Sequence, residues 1–186
     1  MTMKKFRKNT QRGFTLLLAA LVSSIVLAVG AAIFSIAQKQ VTLSALGRDS
    51  QFAFYAADTI AECALYWDFR FDYFSTTTPA TVVAPDPRCD AQSINVTVTD
   101  GNPEGGIYYE MTSDKVDLFK GAEVSGNLCA QVSVRKCRGA FENGVCTSPS
   151  DSAPIRTIIH ADGYSTDCAS ILTSTRVLQR SVELRY

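Results

Sequence analysis

The N-terminal segment constrains this chain more than any other part of it. A basic leader that ends at Gly13 precedes 24 residues without a charge, Phe14 through Ala37. A helix rises ~1.5 Å per residue, so about 20 apolar residues cross a bilayer. Cations in front of such a span stay on the cytoplasmic side, and the chain after Ala37 is therefore expected to be exported. The cations of the leader are Lys4, Lys5, Arg7, Lys8 and Arg12.

Three interpretations of this segment differ in where the chain is cut. A cleaved secretory signal has an apolar core of ~7–15 residues with its cleavage site after it. The run here is longer, and the sequence continues in helical style from Ser35 to Gln40. An uncleaved signal anchor fits the length but gives no role to Gly13-Phe14. The third interpretation places the cut at Gly13-Phe14, in front of the apolar run.

The residues of this junction carry a family resemblance. Residues 12–17, Arg-Gly-Phe-Thr-Leu-Leu, closely resemble the junction of type IV prepilins. The resemblance implies that a prepilin peptidase cuts between Gly13 and Phe14 and methylates Phe14. Most members of the family have glutamate as the fifth mature residue, and that position is Leu18 here. X-type minor pilins and the K-type pseudopilin of type II secretion also depart there, so the resemblance implies a minor subunit, with the filament tip as one location.

Charge and composition bound the function class. The net formal charge is zero, but after the leader the chain has 13 basic and 18 acidic residues, a charge of −5. This slight excess of acidic residues gives no indication of the basic surface that nucleic-acid binding proteins present. His160 is the only histidine, and the sequence shows no nucleophile, base and orienting group that could be placed together. We expect a protein that is not an enzyme and has no catalytic residues, cofactor or metal.

The cysteines indicate an oxidising compartment. All six lie beyond the apolar run, and an even number in an exported region favours disulfide bonds. A zinc site is the weaker alternative, because no Cys-x2-Cys pair occurs. Six cysteines allow 15 pairings. The candidates are Cys63–Cys89, which would pin a loop to a helix, Cys129–Cys168 beside the sheet strands, and Cys137–Cys146 around a hairpin-like excursion.

Hydrophobic periodicity predicts one long helix followed by a sheet. No proline occurs between Gln38 and Asp68, and one face repeats apolar residues at helical spacing. We predict a helix from Phe14 to Asp68 whose second half is amphipathic. Gly30 and Gly47 are its weak points. The face consists of Phe52, Ala56, Ile60, Cys63 and Trp67.

Beyond the prolines at 79, 85 and 87, apolar residues recur at every second position. Alternating segments predict antiparallel strands with one covered and one wet face, and the amphipathic half-helix is the natural cover. The predicted strands are residues 93–99, 107–111, 127–136, 155–160 and 176–186. Residues 51–68 resemble the helix of minor pilins, and the last two strands resemble their C-terminal sheet.

The sequence thus predicts an α+β protein, a long N-terminal helix packed on an antiparallel sheet, which is the type IV pilin fold in the resemblance. The predicted parts are a leader (1–13), a transmembrane half-helix (14–37), an amphipathic half-helix (38–68) and an exported sheet domain (69–186). The expected function is that of a minor type IV pilin. A type II secretion pseudopilin and a non-polymerising anchored binding protein are the alternatives.

The resemblance also implies the partners and the location. The expected partners are a prepilin peptidase, other pilin subunits, the pilus assembly machinery and, before assembly, the inner membrane. The chain would cross that membrane once and later reach the cell surface in a pilus. DNA or a surface ligand stays open as a partner of the exported domain.

Overall fold

The computed structural model describes residues 12–74, 87–101, 108–120, 126–142, 145–147 and 152–186. The chain divides into two compact units, residues 1–46 and residues 47–186. The predicted leader up to residue 11 and the predicted loop over residues 75–86 lie outside the described residues.

One helix, α1, runs from Arg12 to Phe71. It begins two residues before and ends three residues after the predicted bounds of Phe14 and Asp68. Its C-terminal end is set by Asp72, which has a left-handed φ of 47°. The Asp72 amide donates to the carbonyl of Asp68 at 3.0 Å, and the Tyr73 amide donates to the carbonyl of Trp67 at 3.3 Å. These bonds satisfy carbonyls that the helix itself leaves open.

The other regular elements of the described chain are strands. They are β1 (Arg88–Cys89), β2 (Gln92–Ser93), β3 (Val96–Gly101), β4 (Tyr108–Ser113), β5 (Val116–Leu118), β6 (Leu128–Arg138), β7 (Ala140–Glu142), β8 (Val145–Thr147), β9 (Ile155–Tyr164) and β10 (Gln179–Arg185). All pairings are antiparallel. Six strands form the main sheet, in the order β10-β9-β6-β4-β3 with β5 also on β6. The α+β class predicted from the sequence is confirmed.

The strand predictions were right in type and wrong at several ends. The strand expected from residue 93 starts at Val96. The backbone groups of the two residues before it form hydrogen bonds outside the β3–β4 ladder. Ile94 donates to the carbonyl of Pro87 at 2.8 Å, and the carbonyl of Asn95 accepts from Asp114 at 2.9 Å. β9 extends to Tyr164, four residues beyond its predicted end, because it is paired on both sides along this length.

The core of the second unit lies between α1 and one face of the main sheet. The alternation of β6 points Leu128, Ala130, Val132 and Val134 inward. In the ladder Val134 pairs with Ile159, and Ile159 pairs with Leu184. The helix meets them with a wider face than the predicted stripe. The helix residues that are at most 2% exposed are Ala53, Ala56, Ala57, Ile60, Ala61 and Ala64.

The helix backbone approaches the sheet most closely at Gly163. This residue pairs with Ala130 on the inward-facing row of β6 and β9. A Cβ atom at Gly163 would overlap the backbone oxygen of Ala53 and the backbone nitrogen of Ala57. Glycine on the strand and alanine on the helix therefore permit this contact. A larger side chain at Gly163 would push the helix and strand backbones apart.

Replacing Gly163 with alanine is expected to lower the free energy of unfolding by at least ~1–3 kcal/mol, because the added methyl meets backbone rather than a flexible side chain. Trp67, the single tryptophan, is 8% exposed in the core. Its fluorescence during denaturant unfolding of the detergent-solubilised chain reports the change.

Gly47→Ala is the matched control, since a Cβ there meets nothing within 4 Å. Alanine is a better helix former than glycine by ~1 kcal/mol, so this variant should be neutral or more stable. Equal stability of the Gly163→Ala and Gly47→Ala variants would contradict the close contact.

Candidate functional site

The junction Gly13-Phe14 lies in the first turn of α1, in the first unit. Phe14 is 73% exposed, and Leu18, one turn further, is 54% exposed. Both side chains are thus presented on the helix surface of this unit. The cleavage, the methylation and the assembly role predicted for these residues stay predictions.

The rest of the first unit is an apolar helix surface. Leu16, Leu17, Leu21, Ile25, Leu27 and Ile33 are all more than half exposed. A helix that is apolar on every side is stable only in lipid or among other apolar helices. Among the described residues α1 is long and apolar enough to cross a membrane. The structure is therefore compatible with a single-pass membrane anchor near the N-terminus.

The second unit contains three disulfide bonds, Cys63–Cys89, Cys129–Cys168 and Cys137–Cys146. These are the three candidate pairs of the sequence. Their Cα atoms are 5.9, 4.7 and 5.6 Å apart, within the range that a disulfide spans. They connect α1 to β1, β6 to the segment before β10, and the end of β6 to β8.

The Cys63–Cys89 bond holds the β1–β2 hairpin against the helix. Trp67, one helical turn after Cys63, donates from Nε1 to the carbonyl of Arg88 at 3.1 Å. On its other side the hairpin is tied to the end of β5, where Asp90 Oδ2 accepts from the backbone amide of Phe119 at 2.5 Å. The disulfide therefore fixes a short hairpin that bridges the helix and the sheet.

A polar cluster lies near the end of the helix, and its members were not among the site residues predicted from the sequence. Two of its residues, Asp68 and Lys136, are buried, and the third, Tyr186, is 43% exposed. Lys136 Nζ contacts Asp68 Oδ1 at 2.6 Å, and their side chains are only 8% and 5% exposed. Tyr186 donates from its hydroxyl to Asp68 Oδ2 at 2.5 Å. The ring of Phe69 stacks on Tyr186 with centroids 5.0 Å apart. We call Asp68, Lys136 and Tyr186 the Asp68 cluster.

The sequence contained a signal for this cluster. Lys136 continues the inward alternation of β6, and Tyr186 continues that of β10. Asp68 follows Ala64 by one turn on the buried face of α1. A charged residue that falls in register on an apolar face predicts a buried partner of opposite charge. The sequence could therefore have predicted that Asp68 and Lys136 both face the core. It could not have predicted that they contact each other.

The outer face of the sheet is charged. His160 on β9 lies between Asp162, at 3.4 Å from Nε2, and Glu183, at 3.7 Å from Nδ1. Asp162 also accepts from the Ser181 hydroxyl and from the amide of Gln179. These contacts place His160 in a partly exposed row of charges across β9 and β10.

One group of the described residues has the spacing of metal ligands, Asp117 with Cys129 and Cys168. The two sulfurs are bonded to each other, so neither is a thiolate that could bind a metal. Asp117 Oδ1 accepts from the backbone amide of Cys168 at 2.7 Å. The carboxylate therefore orients the disulfide-bonded segment.

Comparisons with protein-family models, with curated proteins and with solved structures found no match to this chain.

Loss of stability at alkaline pH is expected from Tyr186. Burial, and then the bond to Asp68, raise the pKa of its phenol above the ordinary value of 10.0. Above pH ~10 the unfolded chain loses this proton first, so the contribution of the phenol is complete below pH ~10 and decreases as pH rises. Tyr186 is 43% exposed, so water screens part of this interaction. Tyr186→Phe should therefore be less stable by ~0.5–1.5 kcal/mol at pH 8, because the hydrogen bond to Asp68 is lost, and this difference should narrow toward pH 11.

Tyr66→Phe is the control, since Tyr66 is 56% exposed near the same end of the helix. Denaturant midpoints of the three proteins between pH 8 and pH 11 test this prediction. A gap between the wild type and Tyr186→Phe that stays constant with pH would contradict it.

Proposed function

We propose that this chain is a prepilin that matures into a minor type IV pilin, a structural subunit of a filament and not an enzyme. The observation that carries the proposal is the junction Arg12-Gly13-Phe14 directly in front of the uncharged run Phe14–Ala37. A signal anchor explains the run but not the junction. Support comes from the order of parts, an exposed apolar helix followed by a helix face buried on an antiparallel sheet. That order is the one the pilin resemblance implies.

The proposed mechanism is assembly. A prepilin peptidase of the inner membrane removes residues 1–13, and Phe14 becomes the methylated N-terminus. The apolar helix then leaves lipid and packs among the helices of other pilin subunits. Its surface, with residues such as Leu17, Leu21 and Ile25 more than half exposed, would stay buried in either environment. Burial stabilises by ~25 cal/mol per Å² of apolar surface, which would hold the helix in a filament core outside the bilayer.

The second unit would be the outward-facing part of such a subunit. Three disulfide bonds and a buried core that includes helix residues from Ala53 to Ala64 make it self-contained. Disulfides persist outside the cytoplasm, where the topology of the basic leader would place this unit. Its ligand, whether DNA, a surface or another cell, is left open in this proposal.

Leu18 supports a minor rather than a major subunit. The charge that most type IV pilins have at the fifth mature position would pair with the N-terminal amine of a neighbouring subunit in the apolar core. A leucine cannot pair with this amine, and an unpaired charge in an apolar medium is costly. A subunit without the carboxylate is best suited to a location where no neighbouring amine requires it, such as the tip.

Two alternative functions share some of the features on which this proposal rests. A type II secretion pseudopilin would share the junction, the helix and the sheet, and would serve a different machine. An anchored binding protein that never polymerises would keep α1 as a permanent membrane span, with which its apolar exposed surface is compatible. The processing of Gly13 separates this second alternative from both filament subunits.

Gly13→Val is expected to abolish processing, because the peptidase must accommodate the residue before the cut. Cells that make prepilin peptidase should convert the wild type to a chain beginning at methylated Phe14, as intact mass and N-terminal sequencing would report. Gly30→Val, the same change inside the apolar run, should be processed normally. Uncut wild type in such cells would overturn the proposal and favour the signal anchor.

Leu18→Glu is expected to raise the number of copies in filaments, because the new carboxylate can pair with a neighbouring amine. Immunoblots of sheared filaments measure the ratio of this subunit to the major subunit. Leu18→Gln has a similar shape without the charge, and Leu17→Glu carries the charge one position away. Neither control should raise the ratio. Incorporation of Leu18→Glu equal to that of the wild type would show that the charge argument is wrong.

A further inference from the structure

We propose that the outer face of α1 in the second unit docks a neighbouring filament subunit, one that presents basic groups between two apolar patches. The inference rests on the proposed function and names the chemistry of the partner. Five residues spaced 3, 4, 4 and 3 positions apart lie along this side of the helix. We call them the outer stripe: Tyr55, Asp58, Glu62, Tyr66 and Phe69.

The outer stripe lies opposite the helix face that packs on the sheet, where Ala56 and Ile60 are fully buried. The solvent side of an amphipathic helix is normally polar. Three of the five residues here are aromatic instead, with Tyr55 57%, Tyr66 56% and Phe69 71% exposed. Large apolar side chains that are exposed in a row, rather than scattered singly, are typical of an interaction surface.

Neighbouring rings hold two of these aromatic side chains in place. Tyr66 meets the rings of Trp67 and Phe71 edge-on, with centroids 6.0 and 5.8 Å apart. Phe69 stacks on Tyr186 at 5.0 Å and still has most of its surface exposed. A side chain that is already ordered loses little conformational entropy when a partner covers it, and aromatic residues are frequent anchors of protein interfaces.

The shape of the outer stripe favours a protein as its occupant. From Tyr55 to Phe69 the stripe covers 14 positions, which is ~21 Å of helix at ~1.5 Å per residue. A helix surface is convex, whereas small molecules bind in concave pockets that enclose them. A protein can cover such a length by packing a groove or a second helix along it.

Two carboxylates specify the charge of the partner. Asp58 and Glu62 lie one turn apart in the middle of the outer stripe, and neither forms an ion pair or a hydrogen bond within the described part of the chain. Covering them with apolar groups alone would leave charges without water and without a partner, which is costly. The partner therefore presents lysine or arginine here. The same carboxylates repel anionic lipids and the phosphates of nucleic acid.

A neighbouring subunit is the occupant that fits the proposed function. α1 continues from the apolar run into the outer stripe as one helix, from Arg12 to Phe71. Packing the first part of this helix among other subunits brings its later turns close to those subunits as well. The outer stripe would then extend an apolar contact with aromatic anchors and charges. Charges add selectivity, because a subunit without matching basic groups is rejected.

Photo-crosslinking in assembled filaments tests the docking surface. The full-length chain is made with p-benzoylphenylalanine in place of Tyr66, and sheared filaments are irradiated and digested. We expect an adduct between position 66 and another pilin subunit, identified by mass spectrometry. Filaments that contain the chain but give no such adduct would overturn the docking surface and leave the proposed function standing. A processed chain that is absent from filaments would overturn both.

Charge reversal tests the chemistry of the partner. Asp58→Lys combined with Glu62→Lys is expected to lower the amount of the chain in filaments by about tenfold or more, because like charges then face each other. Asp114→Lys combined with Glu142→Lys is the matched control, since both residues are exposed outside the outer stripe and the net charge changes equally. This control should match the wild type, and both double variants should be processed at Gly13. Equal incorporation of the two double variants would overturn the basic partner.

Discussion

The close contact between the helix backbone and the sheet is the constraint on which the rest of the second unit depends. Gly163 has no side chain, and Ala53 and Ala57 have only a methyl, so the backbones meet where larger residues would hold them apart. Once this contact is made, the helical period determines which residues face the sheet further along. Cys63 then lies beside Cys89, and Asp68 lies beside Lys136.

The strongest links of the helix to the rest of the second unit are concentrated at its C-terminal end. A disulfide from Cys63, a hydrogen bond from Trp67 and the buried pair of Asp68 and Lys136 lie within two turns. Near residue 50 the contact is lighter, with Arg180 donating from Nε to the hydroxyl of Ser50 at 2.8 Å. A disulfide stabilises by ~2–4 kcal/mol, and a buried charge left without its partner destabilises by ~3–5 kcal/mol. Both effects act to keep this end of the helix attached.

The two units divide the physical requirements of a filament subunit as we propose it. The first presents apolar side chains such as Phe14 and Leu27 at more than 70% exposure, which requires lipid or other helices around it. The second buries its own core and closes its own disulfides. A part that can exchange one apolar environment for another, beside a part that is complete by itself, is what assembly from a membrane requires.

The sequence by itself determined the features that depend on local pattern. An uncharged run of 24 residues has to be an apolar helix, and period-two alternation has to be a half-buried strand, so the α+β class and the strands β6, β9 and β10 could be predicted. The three disulfide pairs were also proposed from the placement of cysteines on these elements. Strand ends were less predictable, because backbone bonds outside the ladder, such as that of Asn95, are not encoded in the alternation.

Only the tertiary structure decided which distant residues meet. The sequence shows that Asp68, Lys136 and Tyr186 each fall on an inward row, but their contacts join positions 68 and 118 residues apart. The same holds for Gly163, whose role depends on backbone atoms of a helix more than 100 positions earlier. Such contacts follow from helix placement and strand order, which result from the packing of the whole core rather than from any local pattern.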